Sequence, residues 1–340
     1  MTLRSSLLWP LTIPYGAAVH LRARAYKKGI LRQQRLEGKV ISVGNLTVGG
    51  TGKTPMVLWI AERLAAEGKN VGILTRGYRG RTRPAEANTS MNFESDEVQL
   101  LKARLAGRVA FGVGTDRYAR GLELAQRSVN WFVLDDGFQH LQLARDLDIV
   151  LLDATDPFGG GRLLPAGRLR ESRTALNRAD VIVITRSRHA PGLEAAIRRD
   201  SEAPVFYAHT KLDSVHALCG GYPGDENQNA RTQKTFAFCG IGNPSAFIAD
   251  IQDWGFDVAG YRYFPDHHRY TQQDVEEIEA AARQAGAEAI LCTEKDVFNL
   301  GAVKWDAFVV SYCRISMQID EEDEFWRVLM TRAEAKAKAG

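Results

Sequence analysis

An α/β fold, built as a mostly parallel sheet flanked by helices and followed by a second, smaller α/β domain, is predicted by three features of the sequence. From residue 38 onward, short β-rich runs alternate with longer helical patterns, the order in which a helix-wrapped parallel sheet reads. Several runs, Ile149-Val150-Leu151-Leu152 among them, are apolar throughout, as strands covered on both faces must be. A glycine-rich loop, Thr47 to Thr54, lies directly between the first strand and the first helix of that pattern. The length of 340 residues suits about two domains. With 45% hydrophobic and 25% charged residues, long disorder, a collagen-like repeat and a multispan membrane protein are excluded. A net charge of +3 argues against a dedicated nucleic-acid binder, whose footprint is strongly basic.

The amino-terminal residues differ from the rest. Leu7, Leu8, Trp9, Leu11, Ile13, Tyr15, Val19 and Leu21 make an apolar stretch broken by Pro10 and Pro14, too short to span a bilayer. Arg22, Arg24, Lys27, Lys28, Arg32 and Arg35 follow it, with only Arg4 ahead, the reverse of an export signal. This composition suits either a segment lying in an anionic membrane interface or a terminal helix packed on the core. Strands are then expected at Val40–Val43, Val71–Thr75, Val109–Val113, Trp131–Leu134, Ile149–Leu152, Val181–Thr185 and Val205–Ala208, with helices between them such as Met56–Glu67. Turn formers from Gly220 to Asn227 mark a boundary region. Further strands follow at Thr235–Cys239, Val258–Phe264, Ala289–Thr293 and Phe308–Ser311, and from Glu321 the chain reads as a polar, frayed helix. The expected organisation is a first domain over residues 1–212, a smaller one over 213–320, and a terminal helix, 321–340, that packs back on the first. Cys219, Cys239, Cys292 and Cys313 are scattered with no CxxC pair, which predicts reduced thiols and neither a disulfide frame nor a zinc site.

The chemistry concentrates at strand ends. Strand, Thr47-Val48-Gly49-Gly50-Thr51-Gly52-Lys53-Thr54, helix is the context of a phosphate-binding P-loop, and makes the first domain P-loop NTPase-like. The glycines let backbone N–H groups curl around phosphate oxygens, and the helix N-terminus adds its dipole. Lys53 is placed to reach the β and γ phosphates and the Thr54 hydroxyl to coordinate Mg²⁺. Thr47 stands where the pattern usually begins with glycine. Asp135 and Asp136, ending the run Trp131–Leu134, supply the acids that hold the magnesium shell, one directly and the other in support. Arg76, Arg117, His140, Arg170 and Glu171 lie in loops at strand ends, where an arginine can stabilise a transferring phosphoryl group. A GTPase would carry DxxG, which Asp135-Asp136-Gly137-Phe138 lacks, and [N/T]KxD, which Thr210-Lys211-Leu212-Asp213 matches.

Together SVGNLTVGGTGKTP, TRGYRG, DDGFQH, GGRLLPAGRLRES, FPDHHRY and TEKD resemble the tetraacyldisaccharide 4′-kinase family of Gram-negative bacteria, from the amino-terminal segment to about residue 300. The resemblance implies Mg²⁺-dependent transfer of the ATP γ-phosphoryl group to the 4′-hydroxyl of a tetraacyldisaccharide 1-phosphate in lipid A synthesis. It further implies a peripheral enzyme at the cytoplasmic face of the inner membrane, which favours membrane contact for Leu7–Leu21. Neither nucleic acid nor a protein partner is implied. Carried over residue by residue, Lys53 and Thr54 fall on the P-loop lysine and magnesium ligand, and Asp135 and Asp136 on the Walker B acids. Gln139 and His140 complete DDGFQH, Arg170 and Glu171 fall on the arginine and the metal-associated acid of the LRE motif, and Asp96 and His267 on the pair that deprotonates the acceptor.

The chain departs from that pattern in Ser95-Asp96-Glu97-Val98, where glycine before the acid and proline after the pair are usual; the choice between Asp96 and Glu97 stays open. Gly160, Arg168 and Ser172 replace asparagine, proline and proline. A sugar hydroxyl is a weak acid, so a positioned base assists its attack. Asp96 is expected in the first domain and His267 in the second, joined by domain closure that excludes water. The rivals are a P-loop GTPase or metallochaperone-like switch, and a membrane-associated nucleotide-binding module without catalysis.

Overall fold

The computed structural model describes residues 8–77, 94–220 and 230–335, which fall into two compact units. The first comprises residues 8–77, 105–209 and 317–335, the second 94–104, 210–220 and 230–316. The turn formers at 221–227 and Tyr78–Gly80 of TRGYRG lie outside the described residues.

In the first unit the strand order is β3 (Ala110–Val113), β2 (Val71–Thr75), β4 (Trp131–Asp135), β1 (Lys39–Asn45), β5 (Leu147–Asp153), β6 (Val181–Thr185) and β7 (Val205–Cys219). Pairings from β3 through β7 are parallel. Every residue of β2, β4, β5 and β6 is buried, which is why their sequences run apolar without alternation. Helix α2 (Lys53–Ala66) buries Met56, Val57, Leu58, Ile60, Ala61 and Leu64, a helical stripe that packs on the sheet. Gly44 is required for a close approach, since a Cβ there would lie 2.6 Å from the Phe138 Cβ.

Two expectations are corrected at the termini. The stretch read as broken by prolines is one helix, α1 (Trp9–Lys27); Pro10 sits in the first turn, where its missing N–H costs nothing, and Pro14 removes a single hydrogen bond. None of its residues is buried, and no helix among the described residues is long and apolar enough to cross a membrane. At the other end the helix over Glu322–Ala335 is anchored. Its polar sequence hides an i, i+4 stripe, with Phe325, Trp326, Leu329 and Ala333 buried. Phe325 packs against Trp59 and Phe206 at ring separations of 5.5 and 5.1 Å, and the Trp326 indole donates to Glu67 at 2.6 Å.

Strand β7 continues into the second unit, where the order is β7, β11 (Val309–Ile319), β10 (Ala289–Thr293), β8 (Lys234–Cys239) and β9 (Asp257–Tyr263). The last four pair in parallel. Thr210–Asp213 therefore lies inside a strand. The Asp213 carboxylate accepts from the Ser316 hydroxyl at 2.6 Å and Leu212 is buried, so the segment is not the loop a guanine-reading motif requires. All four cysteines are free thiols.

The intervening helices in chain order are α3 (Asp96–Arg104), α4 (Arg117–Ala125), α5 (Pro191–Ile197), α6 (Pro244–Asp253), α7 (Gln272–Gln284), α8 (Glu294–Leu300) and α9 (Glu322–Ala335). Replacing fully buried Phe325 with alanine removes the central ring of the α9 contact, and is expected to lower unfolding free energy by about 3–5 kcal/mol in urea titrations. A loss within about 0.5 kcal/mol would mean that the terminal helix is peripheral to stability.

Candidate active site

The first unit gathers its polar groups at the carboxyl end of β1. Gly52 caps α2 in the left-handed region (φ 84°), a conformation a side chain resists. The P-loop is pinned from both sides: Asn45 donates to the Thr51 hydroxyl at 3.0 Å, and the Thr185 hydroxyl donates to the Thr51 carbonyl at 3.3 Å. The arginine-rich loop runs against it, with Val48 N–H donating to the Arg168 carbonyl and Arg170 N–H to the Leu46 carbonyl, both at 2.8 Å.

Strand β4 lies beside β1 with Val43 opposite Asp135, which places both acids at the same edge as the P-loop. Asp135 is buried; its carboxylate accepts from Thr75 at 3.0 Å and its carbonyl from buried Arg117 at 3.2 Å. Asp136 holds a left-handed backbone (φ 48°), a conformation that recurs where function constrains the chain. It faces the Lys53 ammonium at 3.7 Å and takes two hydrogen bonds from Arg170 at 2.7 and 2.8 Å. Burial would push its carboxyl up, but the Lys53, Arg170 and Arg117 charges hold it below the usual carboxylate range.

Glu171 is buried and held two-pronged by Arg178, both bonds 2.9 Å, while the same guanidinium sits 4.5 Å over the Phe138 ring. Gln139 donates to the Asn45 carbonyl at 3.0 Å. His140 is driven down to about 4 by burial and by the Arg117, Arg145 and Arg22 charges. Arg76 follows β2 and is exposed. Helix α1 reaches this edge as well, its Tyr15 hydroxyl donating to the Arg170 carbonyl at 3.0 Å.

The second unit holds a separate cluster. Asp96 opens α3 and is only 4% exposed. His267 Nδ1 lies 2.9 and 3.0 Å from its two oxygens, on a residue with a left-handed backbone (φ 61°). The Asn299 amide donates to Asp96 Oδ2 at 2.9 Å and the Glu97 N–H to Oδ1 at 2.9 Å. Lys295 stands 3.8 Å from Asp96, 3.4 Å from Glu97 and 3.5 Å from Asp266. Burial raises the Asp96 carboxyl, yet the His267 hydrogen bond and the Lys295 charge outweigh it and hold the group below its ordinary value. The hydrogen bond to Asp96 raises His267 against the opposing pull of burial and Lys295. A paired, anionic carboxylate behind an imidazole is a general-base arrangement.

Residues 4–334 match the family described as tetraacyldisaccharide-1-P 4′-kinase, LpxK. The chain belongs to this family. A tetraacyldisaccharide 4′-kinase of Geobacter metallireducens is 44% identical over 316 residues, covering 88% of this chain and 89% of the relative. One from Desulfotalea psychrophila is 39% identical over 318 residues, covering 89% and 88%. The crystal structure of LpxK from Aquifex aeolicus in complex with ATP aligns with a TM-score of 0.72 at 29% identity, over 97% of this chain and 99% of that one.

In this family member the structure joins Lys53, Asp136 and Arg170 directly, ties Asp135 to Arg117, and joins Asp96 to His267. It resolves the choice of facing acid, since Asp96 and not Glu97 meets the imidazole ring. The expected separation of that pair is corrected: Asp96 and His267 both belong to the second unit and already meet there, so no closure is needed to bring them together. Glu171, carried over as the metal-associated acid, is engaged by Arg178, and among the described residues no three His, Cys, Asp or Glu side chains group together as a metal site. Sequence reasoning assigned no role to Lys295 or Asn299. Their i, i+4 spacing in a helix opening on TEKD was the available signal, invisible without knowing which face meets Asp96.

His140 is expected to stay neutral well below pH 6.5, the imidazole titrating near pH 4 by NMR. The unfolded chain protonates first, so this group's contribution to stability is complete above about pH 6.5 and is lost as pH falls towards 4. A midpoint near 6.5 would show that neither burial nor the three arginines bear on the ring.

Proposed function

We propose that the chain transfers the γ-phosphoryl group of ATP to the 4′-hydroxyl of a tetraacyldisaccharide 1-phosphate, giving the 4′-phosphorylated lipid A precursor, lipid IVA. The observation that carries this reading is the pairing of buried Asp96 with His267, which a nucleotide switch has no use for and a hydroxyl acceptor needs. Family membership and the P-loop supply the donor side.

The P-loop N–H groups and the α2 N-terminus bind the phosphates, and Lys53 exchanges its contact with Asp136 for the β and γ phosphate oxygens. Arg170, already beside Asp136, supplies charge to the transferring group. Mg²⁺ usually takes one or two carboxylates along with phosphate oxygens and water, and the Thr54 hydroxyl with Asp135 and Asp136 at one strand edge fits that donor set. Bound there, the ion neutralises phosphate charge. Asp96 orients His267 through Nδ1. As the sugar oxygen bonds to the γ-phosphorus, its proton passes to the pair, the bond to the bridging oxygen breaks, and ADP leaves.

We further infer that α1 lies in the membrane interface at the cytoplasmic face of the inner membrane. Trp9, Leu11, Ile13 and Leu21 are exposed along it, and Arg24 and Lys27 follow in its last turn, which suits an anionic surface better than a core contact.

Incubation with Mg-ATP and the tetraacyldisaccharide 1-phosphate is expected to add one phosphate to the lipid by mass spectrometry. Asp96→Ala with His267→Ala is expected to lower kcat by about 10²–10⁴-fold with little change in nucleotide binding. Strict use of GTP, with the lipid unchanged, would defeat the kinase reading; full turnover in the double variant would defeat the pair. Removing residues 1–21 is expected to release the protein from anionic liposomes in a flotation assay, and unaltered partitioning would refute the interfacial placement.

A further inference from the structure

The cluster around Asp96 poses an electrostatic problem. Three carboxylates, Asp96, Glu97 and Asp266, converge on one side chain, the Lys295 ammonium, at 3.8, 3.4 and 3.5 Å. Lys295 is largely enclosed, its side chain 18% exposed. It is presented by α8, whose start is fixed by a capping box between Thr293 and Asp296, and whose next turn supplies Asn299 to the same Asp96 oxygen. Asp296 is itself buried and accepts from the Tyr270 hydroxyl at 2.7 Å and the Gly240 N–H at 2.8 Å, so the register of Lys295 is held by the floor of the unit.

Resting on the kinase reading above, we propose that Lys295 is a positioning residue for acceptor activation. Its ammonium gathers Asp96, Glu97 and Asp266 so that Asp96 grips the His267 ring through Nδ1 and Nε2 is left to receive the hydroxyl proton. The physical need is specific. An anionic Asp96 alone would orient the ring and also favour its charged form, in which Nε2 already carries a proton and cannot act as base. A cation paired with the same carboxylate keeps the orienting hydrogen bond and offsets the field at the ring. Lys295 opposes the protonation that Asp96 and Asp266 promote at His267, and it acts on Asp96 in the sense that keeps the carboxylate charged. The groups facing the ring are Asp96 from α3 and Asp266 beside it, whose carboxylate lies 3.7 Å from Nε2. Lys295 itself is held charged, Glu97, Asp96 and Asp266 outweighing its burial.

The test uses the full chain and two readouts. Lys295→Met is expected to lower kcat about 10–100-fold while KM for ATP changes by less than about twofold. It is also expected to move the acid limb of the pH–rate profile and the NMR titration of the His267 ring to higher pH; Lys295→Arg restores both. Because three carboxylates lose their common partner, the Glu97→Gln, Lys295→Met variant relieves the excess charge and provides a folded comparison in which both shifts persist. Unshifted ring titration in the folded variants, or equal loss of kcat in Lys295→Arg and Lys295→Met, would overturn the proposal and leave Lys295 a structural tie. If the unmodified enzyme fails to phosphorylate the lipid, the kinase reading falls on its own account, and the ring titration still decides whether Lys295 governs His267.

Discussion

A parallel sheet delivers every one of its strands' carboxyl ends to a single edge, and the first unit is organised around that constraint. β1 lies between β4 and β5, so the loop leaving it emerges beside the acids that end β4. The arginine-rich loop after β5 is tied back to the P-loop by main-chain bonds, and α1 reaches the same edge through Tyr15. None of these contacts would survive a strand order that placed β1 at the sheet margin. Burial on both faces makes the register expensive to alter, because slipping β1 by one residue would displace a strand buried from Val40 to Asn45.

Charge in both clusters is arranged around carboxylates that burial would otherwise neutralise. Asp136 stays anionic because Lys53 and Arg170 lie against it, and those are the same cations that phosphate oxygens would claim. Nucleotide binding on this view is an exchange of one anion for another, without a new charge having to be desolvated. Asp96 is treated differently: its partners are an imidazole, an amide and a lysine, a set that keeps the carboxylate charged and leaves the ring adjustable. Glu171 is the contrast. Clasped by Arg178 over Phe138, it stabilises the loop that carries Arg170 and does not present itself to a ligand in this arrangement.

The left-handed backbones of Asp136 and His267 belong to the same logic. Each non-glycine residue in that region costs on the order of 1–2 kcal/mol. Both lie beyond the ends of strands and carry ion-paired side chains, Asp136 directly after β4 and His267 four residues past the end of β9. The surrounding hydrogen bonds hold the conformation, and the strain is spent on aim.

Much of this was legible in the amino-acid order. Apolar runs located β1 to β6 within one or two residues, because burial on both faces leaves little alternative composition, whereas β7, expected to end at Ala208, runs on to Cys219. Strand, glycine loop and lysine located the phosphate cradle, because that chemistry is local in sequence. The α9 stripe was hidden among acids and arginines, and Pro14 read as a break that the remaining helical hydrogen bonds tolerate. Thr210–Asp213 matched a nucleotide motif by spacing alone and turned out to be the middle of a strand. The Asp96–His267 pair, 171 positions apart, was legible only through the family resemblance, and what no local pattern contained was the meeting of Lys295 and Asn299 with Asp96. Local patterns report the periodicity and backbone freedom of a segment; which charges neutralise one another depends on chain crossings, and those exist only once the sheet has formed.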